Sequence, residues 1–559
     1  MNRDNFIFFE LLDRNDPPVR SLLLVARDSK KQEFVNRMIK ELVRQAGWDP
    51  DFPPKIFLPR DISPSDYVVG TAISGDVLGD DIGPAEVDLK SHIGVFGMTS
   101  VGKTTLVKLL LVAFTKGKPV GETKRTFFVW DTDGEYRDLL PLYAPEEAIW
   151  LTADELGINP LEIPKGPDGK LVMHPDKWIN NLRGLLRLLW LNEPSLNLFC
   201  ELLHEEYVKR GIIGGETKNE FPCISDMIDV LDKLHVRVNS DRARAKDKLL
   251  DRLKSIRRSL PGLDVRCSRD VFKLFGGRSV ILDVSDLKDI SFPFLFTFMS
   301  ILRGVVFHSD DPSEISQMEV FEEAHRVLGG HTDRRTSDLQ ESTASGILRD
   351  KRKSKTCGVV VTRLPKDVVD PVLGNLGTVF CLRLGDGPNI RRAEDCVNLE
   401  QWQKPEIAQL ADQQAIARFS RYGKPAQMVI KDAGELLSGS RPVSREEARE
   451  RSKPVLDRFP YVKRAQEKVE DAQDEEEKIF KAVGGLPTNV KRVYARIAEV
   501  PWELIEDRMD ALSLDREAEN MARRQLISLG LIRFAGKAGA KHRLFELTER
   551  GRRVAEKWV

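Results

Sequence analysis

Residues 97–104 have the types and spacing needed to bind phosphate. They read Gly-Met-Thr-Ser-Val-Gly-Lys-Thr, a complete GxxxxGK[ST] pattern, with an apolar run at 92–96 before them and an apolar-rich run at 105–111 after them. In such a strand–loop–helix setting, successive backbone N–H groups and the positive end of the helix bind the phosphate oxygens. The segment therefore predicts a site for a nucleoside triphosphate, with ATP and Mg²⁺ as the expected cofactors.

Individual residues of this loop have separate expected tasks. Lys103 would reach the β- and γ-phosphates, and Thr104 would hold Mg²⁺ through its hydroxyl. Gly97 and Gly102 permit the turn, because a side chain at either position would crowd phosphate or backbone. The other predicted nucleotide contacts in the loop are Thr99, Ser100, Val101 and Thr105.

A second segment, 316–325, offers the acids that ATP hydrolysis requires. It reads Ser-Gln-Met-Glu-Val-Phe-Glu-Glu-Ala-His, a short apolar strand pattern that ends in two adjacent glutamates. Neighbouring residues at a strand end point in different directions, so one acid can face the metal and the other the attacking water. We assign Glu322 to metal coordination and Glu323 to catalysis.

Two further motifs each have two or more interpretations. Asp131-Thr-Asp-Gly-Glu135 follows the strand pattern 126–130. It is either a tight Asp-Gly turn or an acidic element that faces the γ-phosphate or a neighbouring subunit, and Asp131 and Glu135 are candidate nucleotide contacts. The basic segment 346–356 is either a solvated helix end, an arginine finger offered to the next subunit, or a contact to the phosphates of a polymer.

Composition limits the partners and the compartment. Lys+Arg and Asp+Glu are equal at 87 each, so any nucleic-acid surface must be local. The six cysteines form no CxxC pair, which is typical of reduced thiols in a cytosolic protein. There is no signal-peptide pattern at the N-terminus and no apolar run of the ~18–20 residues that a membrane helix needs. We expect a cytoplasmic protein with no membrane contact.

The 559 residues suggest several domains. Residues 1–87 read as a small N-terminal domain of α/β or β type, with strands expected at 6–12 and 21–25 and an amphipathic helix at 30–47.

An α/β core is expected over 88–440. A strongly helical insertion at 165–277 divides it into 88–164 and 278–440. Short apolar runs in the second part suit buried parallel strands; they lie at 316–321, 358–362 and 379–384.

Residues 441–485 are highly charged and predict a solvated helix or linker. Residues 486–559 read as three helices followed by two short strands joined by a Gly-bearing basic turn, which predicts a winged helix.

Five motifs in their order along the chain resemble those of the HerA/FtsK superfamily of ring-forming motor ATPases, with the HerA-like branch the nearer. They are GMTSVGKTTL, DTDGEY, FEEAH, GILRDKRKSKTCGVVVTRLPKDVV and TVFCLRLGD. The resemblance covers roughly 88–164 and 278–435. It implies a RecA-like P-loop NTPase core and a homo-oligomer, typically a hexameric ring, that moves DNA through a central pore.

The resemblance also implies roles for particular residues. Lys103, Thr104, Glu322 and Glu323 would form the catalytic set, and Arg349 and Arg352 are arginine-finger candidates. The family often has a glutamine at the sensor strand end, where this chain has Thr362-Arg363-Leu364-Pro365. Arg363 is the candidate substitute for that glutamine.

Three functions stay open on the sequence. The first is an ATP-driven DNA translocase or helicase that works with a separate nuclease or effector chain in DNA-end processing or in antiviral defence. The second is a related pumping ATPase of conjugation or secretion. The third is a non-motor nucleotide switch, whose winged helix would bind DNA or protein.

Overall fold

The computed structural model describes most of the chain. The described residues are 12, 17–25, 31–46, 65–74, 77–117, 124–166, 168–189, 191–214, 220–237, 239–287, 291–307, 314–329, 355–400, 403–422, 424–432, 434, 437–463, 486–500, 503–529, 531–538, 542–548 and 552. The chain divides into two compact units, Met1–Arg464 and Ala465–Val559.

The first unit contains one large mixed sheet, which has eleven strands among the described residues. The strands are β1 (Gly70–Ser74), β2 (Val77–Ile82), β3 (His92–Phe96), β4 (Thr126–Asp131), β5 (Ala148–Thr152), β7 (Ser279–Asp283), β8 (Gln317–Phe321), β9 (Thr356–Thr362), β10 (Leu376–Leu382), β11 (Gln414–Arg418) and β12 (Ala426–Ile430). Two short strands, β6 (Val265–Cys267) and β13 (Val462–Lys463), pair separately. The order across the large sheet is β2-β1-β12-β11-β10-β3-β9-β8-β4-β7-β5.

The part of the sheet from β10 to β5 is parallel throughout, and the strands from β10 to β2 are antiparallel. Every residue of β3, β4, β7, β8 and β9 is buried, because helices cover both faces of such a sheet. The carboxyl ends of parallel strands meet at one edge, so the loops after β3, β4, β8 and β9 converge there.

Most helices of the first unit pack on the sheet or form the helical insertion, while two near the N-terminus pack on each other. Those of at least eight residues are Pro17–Val25, Gln32–Gln45, Lys103–Lys116, Pro175–Arg187, Glu193–Lys209, Ile224–Lys233, Asp241–Ser259, Ser291–Val306, Gly387–Val397 and Arg445–Leu456. The four from 175 to 259 lie between β5 and β7 in the chain, and buried residues such as Trp178 and Leu249 join the same apolar cluster as Trp130 of β4. No helix among the described residues is long and apolar enough to cross a membrane.

The acid Glu319, in the middle of β8, is part of the core and not of a site. Its carboxylate accepts a bond from Trp130 Nε1 at 3.0 Å and lies 3.3 Å from Arg303 Nη2. The Arg303 guanidinium also lies 3.9 Å from the centre of the Phe128 ring. Buried charges persist when they are paired in this way, so this acid has a structural partner before any ligand is considered.

The N-terminal segment differs from its prediction. The expected strand at 21–25 is wrong: these residues belong to the helix Pro17–Val25, whose two prolines suit the first turn of a helix. The expected helix is confirmed as Gln32–Gln45, and its buried residues pack with Val19 and Leu22 of the first helix. The predicted strand 6–12 lies outside the described residues, apart from Leu12.

The α/β core extends beyond its predicted bounds of 88 and 440. The large sheet begins before residue 88, and a helix that covers it follows residue 440. Strands β1 and β2 extend the antiparallel part of the sheet through β12. The helix Arg445–Leu456, which was predicted as solvated helix or linker, buries Ala448 and Val455. Ser452 Oγ of this helix accepts a bond from the backbone N–H of Trp150 at 2.8 Å. This part of the segment is therefore packed, while 464–485 lies outside the described residues.

The second unit contains three helices and a two-stranded antiparallel ribbon. Its elements are Thr488–Glu499, Ile505–Leu512, Arg516–Ser528, β14 (Ile532–Ala538) and β15 (His542–Leu547). The first and third helices and the ribbon share one apolar cluster, which includes Tyr494, Leu526 and Phe545. The order of elements is the one expected for a winged helix, and that assignment stays a prediction.

Candidate nucleotide-binding site

Backbone hydrogen bonds join the phosphate loop to the ends of β9 and β10, the two strands on either side of β3. Gly97 N–H donates to the carbonyl of Thr362 at 3.3 Å, and Met98 N–H donates to the carbonyl of Arg383 at 2.9 Å. A Cβ on Gly97 would lie 2.9 Å from the Cβ of Leu382, and Gly102 has a φ of +107°. Glycine is required at 97 by the close approach of β10 and at 102 by the left-handed backbone.

Lys103 and Thr104 begin the helix Lys103–Lys116 and direct their polar groups to the same space. Lys103 Nζ donates to the carbonyl of Met98 at 2.7 Å, and Thr104 Oγ1 donates to Glu135 Oε2 at 2.7 Å. Burial lowers the pKa of Lys103, while the nearby carboxylates of Glu323, Glu322 and Glu135 act in the opposite direction. These groups are placed to exchange protein partners for phosphate and metal.

A cavity of about 640 Å³ opens at this edge of the sheet, a size common for small-molecule sites. It is lined by Thr99, Ser100, Gly102, Lys103, Thr104, Thr105, Asp133, Glu135, Glu322, Glu323, His325, Arg326, Val361, Arg363, Asp412 and Gln413. The fold thus brings the phosphate loop, the two adjacent glutamates and Arg363 together around one space.

Glu322 is a buried acid with unusual surroundings. It is 5% exposed, and within the described part of the chain its Oε2 has no hydrogen-bond partner. Burial raises the pKa of Glu322 to about 9, and the carboxylates of Asp131, Asp133, Glu135 and Glu323 add to the shift. Such a concentration of negative charge favours a cation.

The donor set fits Mg²⁺. No group of three or more His, Cys, Asp or Glu residues among the described residues forms a complete metal cage. Mg²⁺ is usually held by one or two carboxylates together with substrate phosphates and water. A bound cation would also reverse the pKa shift of Glu322 by stabilising its ionised form.

Glu323 has a left-handed backbone, with a φ of 45° and a ψ of 45°, at the start of the turn Ala324–Arg326. For a residue with a side chain this conformation costs roughly 1–2 kcal/mol, and such strain often accompanies function. Its Oε2 lies 3.2 Å from His325 Nδ1 and 3.7 Å from Arg363 Nε. At this turn the carboxylate of Glu323 lies beside an imidazole and a guanidinium, and within the described part of the chain its Oε2 has no hydrogen-bond partner.

The motif at 131–135 serves both as a turn and as part of the cavity wall. The buried carboxylate of Asp131 accepts bonds from the backbone N–H groups of Gly134, Glu135 and Tyr136 at 2.7, 3.1 and 3.2 Å. Burial raises the pKa of Asp131 to about 6, although these bonds oppose the shift. Asp131 holds the turn and does not line the cavity, so its assignment as a nucleotide contact is corrected; Glu135 does line it.

Comparison with known proteins identifies a domain that carries the phosphate-loop side of this cavity. Residues 74–300 match the family model described as Helicase HerA, central domain. The chain contains a HerA-like ATPase domain. The recognition of this family from the five motifs is confirmed, and the α/β fold with a RecA-like P-loop core is confirmed with it. No curated protein sequence matches the chain.

Comparison with solved structures supports the fold, through one of two similar structures. The structure of VirB4 from Thermoanaerobacter pseudethanolicus is similar with a TM-score of 0.50 and 17% identity, over 67% of this chain and 99% of that chain. The plasmid coupling protein TrwB in complex with the non-hydrolysable GTP analogue GDPNP has a TM-score of 0.42 and 13% identity, over 66% of this chain and 96% of that chain. At these identities the likeness to VirB4 concerns the fold alone.

Some features of the HerA-like site differ from the sequence prediction. The side chain of Val101 is buried in the core, so only its backbone can serve the loop; its carbonyl accepts a bond from Gln413 N–H at 3.0 Å. Asp412 and Gln413 line the cavity, although no motif marks them. Asp133 and His325 also line the cavity; the prediction missed both, although they lie inside the DTDGEY and FEEAH motifs. Arg349 and Arg352 lie outside the described residues.

Proposed function

We propose that this chain is an ATP-hydrolysing ring motor that translocates or unwinds DNA. The observation that carries the proposal is the convergence of Lys103, Thr104, Glu322 and Glu323 on one cavity in a HerA-like ATPase domain. The sequence motifs favour the same set. In the proposal the ring is cytoplasmic and works with a separate nuclease or effector chain.

The phosphate loop and four side chains of the cavity have proposed tasks in ATP hydrolysis. The backbone of 97–104 and the amine of Lys103 bind the phosphates, and Thr104 and Glu322 hold Mg²⁺. Bound Mg²⁺ would neutralise charge on the phosphate oxygens. Glu323 orients and polarises the attacking water.

Arg363 is proposed to contact the γ-phosphate, in place of the glutamine common in the family. Its side chain is 54% exposed and lies at the end of β9 beside Glu323. A guanidinium there can leave the carboxylate for a phosphate, because its forked donors can bind a pair of oxygens on either group.

The function is tested by measuring ATP turnover with and without DNA. A DNA motor should be stimulated by DNA, whereas a nucleotide switch should turn over slowly in both conditions. Strong turnover that DNA does not change would favour a pumping ATPase of the secretion or conjugation type. Isolation of the chain with its co-purifying partners tests the nuclease or effector.

The proposed ring requires a residue shared between subunits, and Arg352 is the candidate. We expect Arg352→Ala subunits to poison wild-type rings in a mixing experiment, because a planar guanidinium stabilises the charge of the transferring phosphoryl group in the neighbouring site. Turnover is measured against the mutant fraction, with Arg349→Ala as the matched comparison. A fall strictly proportional to the mutant fraction for both variants would argue against a shared site.

The contacts of one basic helix bear on the proposed position of the DNA. The helix Asp241–Ser259 is densely basic, yet several of its cations have protein partners: Arg242 lies 2.7 Å from Glu201, Lys254 lies 3.6 Å from Asp232, and Lys246 Nζ donates to the carbonyl of Leu234 at 2.9 Å. These partners support a smaller part for this helix in DNA binding, although the Arg242 and Lys254 side chains are 49% and 40% exposed. The basic segment 349–355 becomes the stronger candidate.

The third helix of the second unit also offers fewer free cations than its sequence suggests. Arg523 lies 3.3 Å from Glu519 and 4.7 Å from the centre of the Phe545 ring. Glu519 in turn pairs with the fully buried Arg508 at 3.2 Å. On the exposed face of the same helix, Met521 is 66% exposed. These contacts favour an accessory or docking role for this unit over a leading role in DNA binding.

We expect DNA affinity to fall steeply with salt and to depend little on base sequence. Replacing Lys351 by Ala should lower the slope of log K against log salt by about one unit, because each lost phosphate contact removes about one released counterion. Arg242→Ala is the matched control and should leave the slope unchanged, since Arg242 is paired with Glu201.

Deleting 486–559 should leave DNA-stimulated turnover measurable. Loss of all stimulation in truncated rings that still hydrolyse ATP would move DNA binding to the second unit.

A further inference from the structure

Glu135 is the side chain that holds the hydroxyl of Thr104. Thr104 lies in the first turn of the helix Lys103–Lys116, and its Oγ1 donates to Glu135 Oε2 at 2.7 Å. This distance is typical of a strong hydrogen bond from a hydroxyl to a carboxylate. Both residues line the cavity, so the bond lies where the nucleotide and its metal are proposed to bind.

The segment that carries Glu135 is fixed against the same helix. The carboxylate of Asp131 accepts a bond from the backbone N–H of Glu135 at 3.1 Å. One helical turn after Thr104, Lys108 Nζ donates to Asp138 Oδ2 at 2.7 Å. Since the two helix residues are four positions apart, they lie on one face of the helix, and each binds an acid of the same segment. These bonds keep the backbone of Glu135 close to Thr104.

A second threonine of this helix shows what a helical hydroxyl does elsewhere. Thr115 Oγ1 donates to the carbonyl of Leu111, four residues earlier, at 2.8 Å. Helical threonines often turn their hydroxyl back to the backbone in this way. For Thr104 the backbone four residues earlier is that of Ser100 in the phosphate loop. A hydroxyl drawn to the loop backbone would not present the same lone pairs to the cavity.

The bond to Glu135 determines which part of the Thr104 hydroxyl remains for a metal. A threonine hydroxyl has one proton to donate and two lone pairs that can accept. When Glu135 takes the proton, both lone pairs remain, and an oxygen binds a metal through a lone pair. Of the two groups placed to exchange a protein partner for a ligand, only Lys103 has to do so. Thr104 can bind Mg²⁺ and keep Glu135.

We infer that Glu135 is the positioning residue for the metal ligand Thr104, because by accepting the hydroxyl proton it directs the oxygen lone pairs to the Mg²⁺ of the bound nucleotide. The inference rests on the proposed function, which gives Thr104 its place beside the metal. Glu135 acts through Thr104 and not on the phosphates, whose oxygens would repel a carboxylate. A side chain that orients a metal ligand in this way is typically worth about 10- to 100-fold in metal affinity or activity.

The test compares variants of the full chain. Glu135→Ala removes the acceptor, whereas Glu135→Gln keeps a side-chain oxygen at the same reach and removes only the charge. Thr104→Ala removes the metal ligand, alone and together with Glu135→Ala. We measure Mn²⁺ affinity by electron paramagnetic resonance with a non-hydrolysable ATP analogue, and the Mg²⁺ concentration for half-maximal ATP turnover. Binding of labelled ATP in EDTA and the unfolding temperature are measured beside them.

We expect Glu135→Ala to weaken Mn²⁺ binding and to raise the Mg²⁺ requirement by about 10- to 100-fold. ATP binding in EDTA and the unfolding temperature should stay at wild-type values, because the phosphate loop and Lys103 are unchanged. Glu135→Gln should keep most of the metal affinity, since its amide oxygen can accept the hydroxyl proton. Adding Glu135→Ala to Thr104→Ala should cause no further loss, because Glu135 acts only through that hydroxyl.

Three results would overturn the inference. They are wild-type Mn²⁺ affinity in Glu135→Ala, equal losses in Glu135→Ala and Glu135→Gln, and a further loss in the double variant. The second would assign the effect to charge, and the third would place Glu135 on the metal or the water directly. Each leaves the proposed function standing, because the wild-type chain still hydrolyses ATP. A wild-type chain that binds nucleotide and Mn²⁺ without hydrolysing ATP would instead overturn the proposed function, and the Mn²⁺ affinities of the variants would still decide the inference.

Discussion

Lys103→Ala is expected to abolish ATP turnover. The amine lies in the cavity, held 2.7 Å from the carbonyl of Met98, and among the described residues no other lysine lines that space. Removing a preorganised positive group from a buried site typically costs roughly 100-fold or more in rate. ATP turnover and the binding of labelled ATP are measured for the variant and the wild-type chain.

The control for Lys103→Ala is Lys90→Ala, which removes an exposed lysine outside the cavity and should leave turnover unchanged. Near-normal turnover in Lys103→Ala would contradict the assignment of the cavity as the ATP site. Equal losses in both variants would show that the measurement reports stability and not binding.

Glu323→Gln should bind ATP but hydrolyse it roughly 100- to 10,000-fold more slowly, which is the range for loss of a general base. The amide has the shape of the carboxylate, yet it carries no charge to polarise water and takes no proton. Because the phosphate loop and Glu322 are unchanged, ATP binding should persist. Single-turnover hydrolysis and binding of labelled ATP separate the two effects.

The neighbouring variant Glu322→Gln provides the contrast. It removes the charge that we assign to the metal, so its defect should appear in the Mg²⁺ dependence of turnover. If Glu323→Gln keeps near-normal turnover while Glu322→Gln loses it at saturating Mg²⁺, the two roles must be exchanged.

The site residues that could be predicted from the sequence are those that lie in short contiguous motifs. The phosphate loop is a contiguous segment between a strand and a helix, so its residues could be named before any fold was known. The adjacent Glu322 and Glu323 were recognisable for the same reason, since a strand pattern precedes them and both acids line the cavity.

The unpredicted part depends on which strands become neighbours. Asp412 and Gln413 reach the cavity because β11 follows β10 in the sheet and β10 lies beside β3, and nothing in their own segment reports that order. The pairing of Glu319 with Arg303 depends likewise on a helix that packs across β8.

Residues 21–25 were misjudged for a different reason. A short apolar run fits a strand as well as a buried helix face, and the prolines before it were the decisive signal. Asp131 was misjudged because a strand-end acid can serve either a ligand or its own turn, and only the three backbone bonds distinguish the two.

The contact between Ser452 and Trp150 affects how the protein avoids aggregation. Strand β5 is the last strand on its side of the described sheet, and an outermost strand offers unpaired backbone groups to other chains. The helix Arg445–Leu456 covers that strand, and its Ser452 takes the N–H of Trp150 that another chain could otherwise bind. A fragment that stops at residue 440 would keep every residue of the cavity and still lose this protection. The helix Arg445–Leu456 should therefore reduce pairing of β5 with a strand of another chain.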